Sequence, residues 1–119
     1  MRSAPIVLAV ALVIASALPA SATGSRPRLS LHPRIVRAGH DVRVTGNADG
    51  CPRRDQVFIL SRAFTGRVFA GVGGAVARVR AAGFFSAVAH VRARAHGTYR
   101  VTARCGGGNL GVAPRLKVL

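Results

Sequence analysis

Gly97-Thr98-Tyr99-Arg100-Val101-Thr102-Ala103-Arg104-Cys105 is the stretch that decides the fold. Tyr99, Val101, Ala103 and Cys105 alternate with Thr98, Arg100, Thr102 and Arg104. Successive side chains point to opposite faces of a β-strand, so this period of two predicts one strand, with the first set inward and the second outward. Gly97 opens the run and Gly106-Gly107-Gly108 closes it. The last inward residue is one of the chain's two cysteines.

The same pattern recurs on both sides. Upstream, Arg28 to His32 places Leu29 and Leu31 inward, and Pro33 interrupts it as on an edge strand. Asp41 to Thr45 places Val42 and Val44 inward. Gln56 to Ser61 is apolar on both faces, as a central strand requires. Weaker strands are expected at Arg67–Val72 and Ala75–Arg80, separated by Gly73-Gly74. Phe85, Ala87, Ala89 and Val91 form the inward set of the next strand. Downstream, Val112 to Leu119 carries Leu116 and Val118 inward. About seven or eight short strands, spaced by turn formers, predict an all-β, two-sheet antiparallel sandwich over residues 28–119.

The first residues read differently. Arg2 precedes the apolar run Ile6 to Ala15, Pro19 breaks it, and Ala20-Ser21-Ala22 is a small-x-small cleavage site. This predicts a signal-peptide helix over residues 1–22, followed by a short linker at 23–27. The apolar run is shorter than the roughly 20 residues that span a bilayer. The expected localisation is secreted, with association to the cell wall and without a stable membrane span. Two cysteines in an exported chain most simply form one disulfide, Cys51–Cys105.

The charge is lopsided. Eighteen Lys and Arg, of which only Lys117 is lysine, face three acids, Asp41, Asp49 and Asp55, for a net charge of +15. Such a balance attracts anionic partners. Arg100 and Arg104 lie outward on the deciding strand, and Arg115 and Lys117 outward on the last one. Arg53 and Arg54 add a basic pair in the loop after Cys51. These six are the candidate anion-binding residues. The expected partner is an acidic cell-wall polymer or a surface protein, with non-specific nucleic acid as a further one.

Residues for catalysis are sparse. Three Asp offer no paired carboxylates, and Ser25, Ser30, Ser61 and Ser86 lie in no Gly-x-Ser-x-Gly turn. His32, His40, His90 and His96 show no metal-ligand spacing. The expectation is a chain that is not an enzyme and carries no metal or cofactor. Base-stacking aromatics are few: only Phe64 and Phe84 are expected to be exposed.

Gly39-x-Asp-Val-x-Val-x-Gly46, Cys51, Gly83-Phe84-Phe85-Ser86 and Gly97-Thr98-Tyr99-x-Val-x-Ala-x-Cys105 together resemble the immunoglobulin-like domains of secreted and wall-associated actinobacterial proteins. The resemblance implies an immunoglobulin-like sandwich outside the cell and no reaction. In that strand order Cys51 and Cys105 fall at the same end of the sandwich, and a bridge clamps the loop 46–55 to the loop 106–111. The function expected from these readings is an exported, non-catalytic binding or structural module that attaches to an anionic surface polymer or a partner protein. An alternative comes from Asn109-Leu110-Gly111 and the late cysteine, which resemble the enediyne-carrier apoproteins of the neocarzinostatin type and imply carriage of a small molecule.

Overall fold

The computed structural model describes residues 27–119 apart from 49, 53 and 107, together with the isolated residues 3, 5 and 11. The signal peptide expected at 1–22 and the linker expected at 23–27 fall almost wholly outside the described residues, as does Arg53.

Among the described residues ten strands follow in chain order: β1 (Arg28–His32), β2 (Ile35–Val36), β3 (Asp41–Asn47), β4 (Gln56–Leu60), β5 (Gly74–Arg78), β6 (Phe84–His90), β7 (Gly97–Arg100), β8 (Thr102–Cys105), β9 (Gly108–Asn109) and β10 (Arg115–Val118). The described residues contain no α-helix; Ala81–Gly83 makes one 3-10 turn before β6. The strands are where the period of two is cleanest. In β3, Val42 and Val44 are buried between exposed Asp41 and Arg43. In β10, Leu116 and Val118 are buried between exposed Arg115 and Lys117. β4 buries Val57, Ile59 and Leu60, and it is flanked on both sides, as its doubly apolar sequence demands.

The strands form three sheets in the orders β1-β3-β6, β2-β10-β7 and β5-β4-β8-β9. Every pairing is antiparallel except that of β2 with β10. The all-β expectation holds, and among the described residues ten strands group into three hydrogen-bonded sheets where seven or eight strands in two sheets were expected. Two breaks in the chain account for the difference. The run 97–105 is interrupted at Val101, whose backbone N–H donates to the carbonyl of Pro114 at 3.0 Å. Its first half, β7, pairs with β10, and its second half, β8, pairs with β4. At the other break the chain passes through the cis His32–Pro33 peptide from β1 in the first sheet to β2 in the second. Proline has no N–H to continue a ladder, so the run ends there.

The inner faces of all three sheets meet in one core. Phe64, Phe85, Ile59, Leu116, Val42, Val44, Val57, Val91, Val101 and Val118 are fully buried in it. Each such side chain contributes about 1.5–3 kcal/mol relative to exposure. The alternation read from the deciding stretch holds across its break: Val101 and Ala103 are buried, Thr98 and Arg100 exposed.

The segment 61–73, here termed the flap, departs from the sequence reading. Arg67–Val72 forms no strand; Phe69 bridges back to Val72, and the backbone turns with positive φ at Gly66, Ala70 and Gly71. Phe64, expected in the open, is fully buried and bridged to Val91. Gly74 then opens β5 opposite Leu60, so close to β4 that a Cβ there would strike the carbonyl of Ile59.

Cys51 and Cys105 are joined, with Cα atoms 6.2 Å apart and 54 positions between them in sequence. The bridge ties the turn before β4 to the end of β8. A structural disulfide of this kind belongs to an oxidising environment such as the extracellular one. No helix among the described residues is long and apolar enough to cross a membrane.

Candidate anion-binding face

The register of β7 on β10 builds the site. Arg100 stands directly opposite Arg115, and Lys117 stands opposite Thr98 and, on its other side, Ile35 of β2. All five side chains are exposed. Like charges opposed across an antiparallel pair destabilise it, by up to about 1 kcal/mol. No acid relieves them: among the described residues none lies on β2, β7 or β10. Asp41 is on β3, where its Oδ1 lies 2.7 Å from Nδ1 of His90, and Asp55 precedes β4.

Arg104 does not join this group. It lies on β8 opposite Phe58, in the sheet built on β4. Its guanidinium carbon is 4.9 Å from the centroid of the Phe69 ring, and Phe69 in turn lies 5.8 Å from Phe58, tilted by 40°. Because the run changes sheets at Val101, Arg104 is carried away from Arg100 and onto the Phe69 ring of the flap, and the cluster on β7 and β10 consists of Arg100, Arg115 and Lys117. Arg54 is separate again. It is exposed, has a φ of 71°, and donates its backbone N–H to the carbonyl of Val79 at 2.9 Å, before the start of β4.

A cleft of about 520 Å³ opens where the strand run changes sheets. It is lined by Leu60, Ser61, Arg62, Val72, Thr98, Tyr99, Arg100 and Thr102. Arg100 thus serves both the cation cluster and the cleft. The Tyr99 hydroxyl is held by the backbone of His96, donating to its carbonyl and accepting from its N–H at 3.0 Å. Ser61, only 4% exposed, accepts from the N–H of Ala63 at 3.2 Å. A smaller hollow of about 230 Å³ lies on the first sheet beside Arg28, Ser30, Thr45, Asn47 and Phe84.

The exposed aromatics are Phe84, as expected, and Phe69, which sequence reasoning missed. Phe69 is 38% exposed. The signal that could have found it is the density of glycines around it, Gly66, Gly71, Gly73 and Gly74, which fits a folded-back turn better than a strand. Among the described residues no three His, Cys, Asp or Glu group to hold a metal ion.

No protein-family model matches the chain, and no curated protein matches it. A solved structure, the Pseudomonas fluorescens alkylpurine DNA glycosylase AlkC bound to DNA containing an abasic site analog, is similar at 19% identity and a TM-score of 0.48. The likeness covers 76% of this chain, which spans 29% of that one. It corrects two expectations. The exported, non-catalytic binding module, with the small-molecule carrier as its alternative, and the expectation of no enzyme both run against a glycosylase as the similar structure. Neither is retained, and the likeness is too slight to assign an activity.

Proposed function

We propose that the chain binds nucleic acid through the phosphate backbone, without regard to sequence, on the face formed by β7 and β10. The observation that carries this reading is the direct opposition of Arg100 and Arg115 beside Lys117, with no acid on the same strands. Three cations held against one another are stabilised by any polyanion that bridges them, and a phosphate backbone supplies charge at regular spacing. Strand partners two residues apart are about 7 Å apart along the face, so the cations form a compact patch.

The strand pairings support an immunoglobulin-like reading of the frame. β2 runs parallel to β10, and the second and third sheets are joined through the run 97–105, a connection that supports reading them as one layer of a sandwich with β1-β3-β6 as the other. The disulfide and the signal-like start at 1–22 support an exported chain, which would meet nucleic acid outside the cytoplasm.

The test is a salt titration of binding to a labelled oligonucleotide, comparing the natural chain with a variant carrying Arg100→Gln, Arg115→Gln and Lys117→Gln. The affinity is expected to fall steeply with salt. The triple variant is expected to flatten the logarithmic slope by about 2, since each phosphate contact on a single strand contributes about 0.7. An unchanged slope and affinity in the variant would mean that the charge acts as a diffuse background, and the reading would fall.

A further inference from the structure

We infer that this face takes single-stranded rather than duplex nucleic acid, with one base in the cleft whose Val72 wall is bridged to Phe69 and the phosphates on Arg100, Arg115 and Lys117. The inference rests on the reading above and deepens it.

The outward residues of β7 and β8 run in order Thr98, Arg100, Thr102, Arg104, spaced by about 7 Å. The first three line the cleft, and the fourth packs on the Phe69 ring. Cations, cleft and exposed aromatic ring therefore follow one another along a single strand run. Proteins that hold single strands combine a basic track for the backbone with aromatic rings on which bases stack. A duplex keeps its bases stacked inside and could use only the cations.

The cleft suits a base. At about 520 Å³ it falls within the range of small-ligand pockets, about 300–1,000 Å³. Leu60 and Val72 supply apolar walls, and Thr98, Thr102 and Ser61 supply hydroxyls. Ser61 lines the cleft, and its hydroxyl oxygen accepts from the N–H of Ala63 at 3.2 Å. Phe58 and Arg104, which stand opposite each other on β4 and β8, both pack against the Phe69 ring, so the ring is held in place before any ligand arrives.

The experiment compares three probes of equal phosphate content: a short oligothymidylate, an abasic deoxyribose-phosphate strand, and a duplex. The oligothymidylate is expected to bind about tenfold more tightly than the other two. Phe69→Ala should remove that preference and leave the salt slope intact, while Phe69→Trp, which keeps a ring, should retain it. If Phe69→Ala does not fold, the comparison of probes on the natural chain and on Phe69→Trp still decides. Equal binding of base-bearing and abasic strands, or a duplex bound as tightly, would overturn the inference while the salt slope upheld backbone binding. Preferential displacement of the oligothymidylate by heparin would overturn it in favour of an acidic polysaccharide. Loss of salt dependence altogether would instead remove the underlying reading.

Discussion

Reduction of the Cys51–Cys105 disulfide is expected to lower the melting midpoint by about 15–30 °C. The bridge closes a loop of 54 positions. On the chain-entropy account, cross-linking a loop of that length removes about 4 kcal/mol of freedom from the unfolded chain. For a domain of this size each kcal/mol moves the midpoint by about 4–8 °C. The rest of the fold has little to offset the loss, because small domains bury a modest share of their surface. Thermal melts followed by circular dichroism, with and without reductant, measure the effect. A variant with Cys51→Ala and Cys105→Ala should reproduce it without reductant. A midpoint that reductant leaves in place would show that the bridge does not restrain the unfolded chain.

Phe64→Ala is expected to cost about 3–5 kcal/mol, a large part of the 5–15 kcal/mol by which domains are usually stable. The ring has no exposed surface and belongs to the shared core. Its removal leaves a cavity the surrounding strands only partly close. The ring seats the flap in the core beside main-chain bonds that the substitution leaves in place. Phe64 donates its N–H to Ser61 at 3.1 Å, accepts from Nε of Arg92 at 2.9 Å, and bridges to Val91. It therefore pins the flap to the end of β6. Urea denaturation of the variant should show the loss, and Phe64→Leu should recover most of it. Under conditions where Phe64→Ala remains folded, the preference for a base-bearing strand should also weaken, because the flap that carries Phe69 has lost its buried ring from the core.

Most of the frame was legible in the sequence because its strands alternate cleanly. Val42 and Val44, Phe85 and Ala89, and Leu116 and Val118 are buried where the period of two puts them. The pairing of Cys51 with Cys105 followed from their number. The number of sheets was not legible. Alternation continues unbroken through Val101, so nothing in the residue pattern marks the point at which the strand changes partner. The outward cations Arg100, Arg115 and Lys117 were found for the same reason as the core: register converts alternation into neighbours. Arg104 was found as outward and misplaced as to company, since what covers it comes from a glycine-rich turn distant in sequence. Phe64 and Phe69 exchanged roles by the same cause. In a segment without periodicity, hydrophobic identity alone does not say which ring turns inward.

The disulfide also has a consequence for how the molecule comes apart. Cys51 and Cys105 bracket residues 52–104, and the flap within that interval carries Arg62 and Arg67, both exposed. A protease that cuts after arginine can sever the backbone there and yet release nothing, because the two pieces stay joined through sulfur. On a gel the nicked chain keeps its full mass until a reductant is added, and only then divides. Most of the core contributed by β3, β4, β6 and β10 lies outside the severed segment. Backbone continuity at the flap is therefore separable from covalent integrity of the molecule.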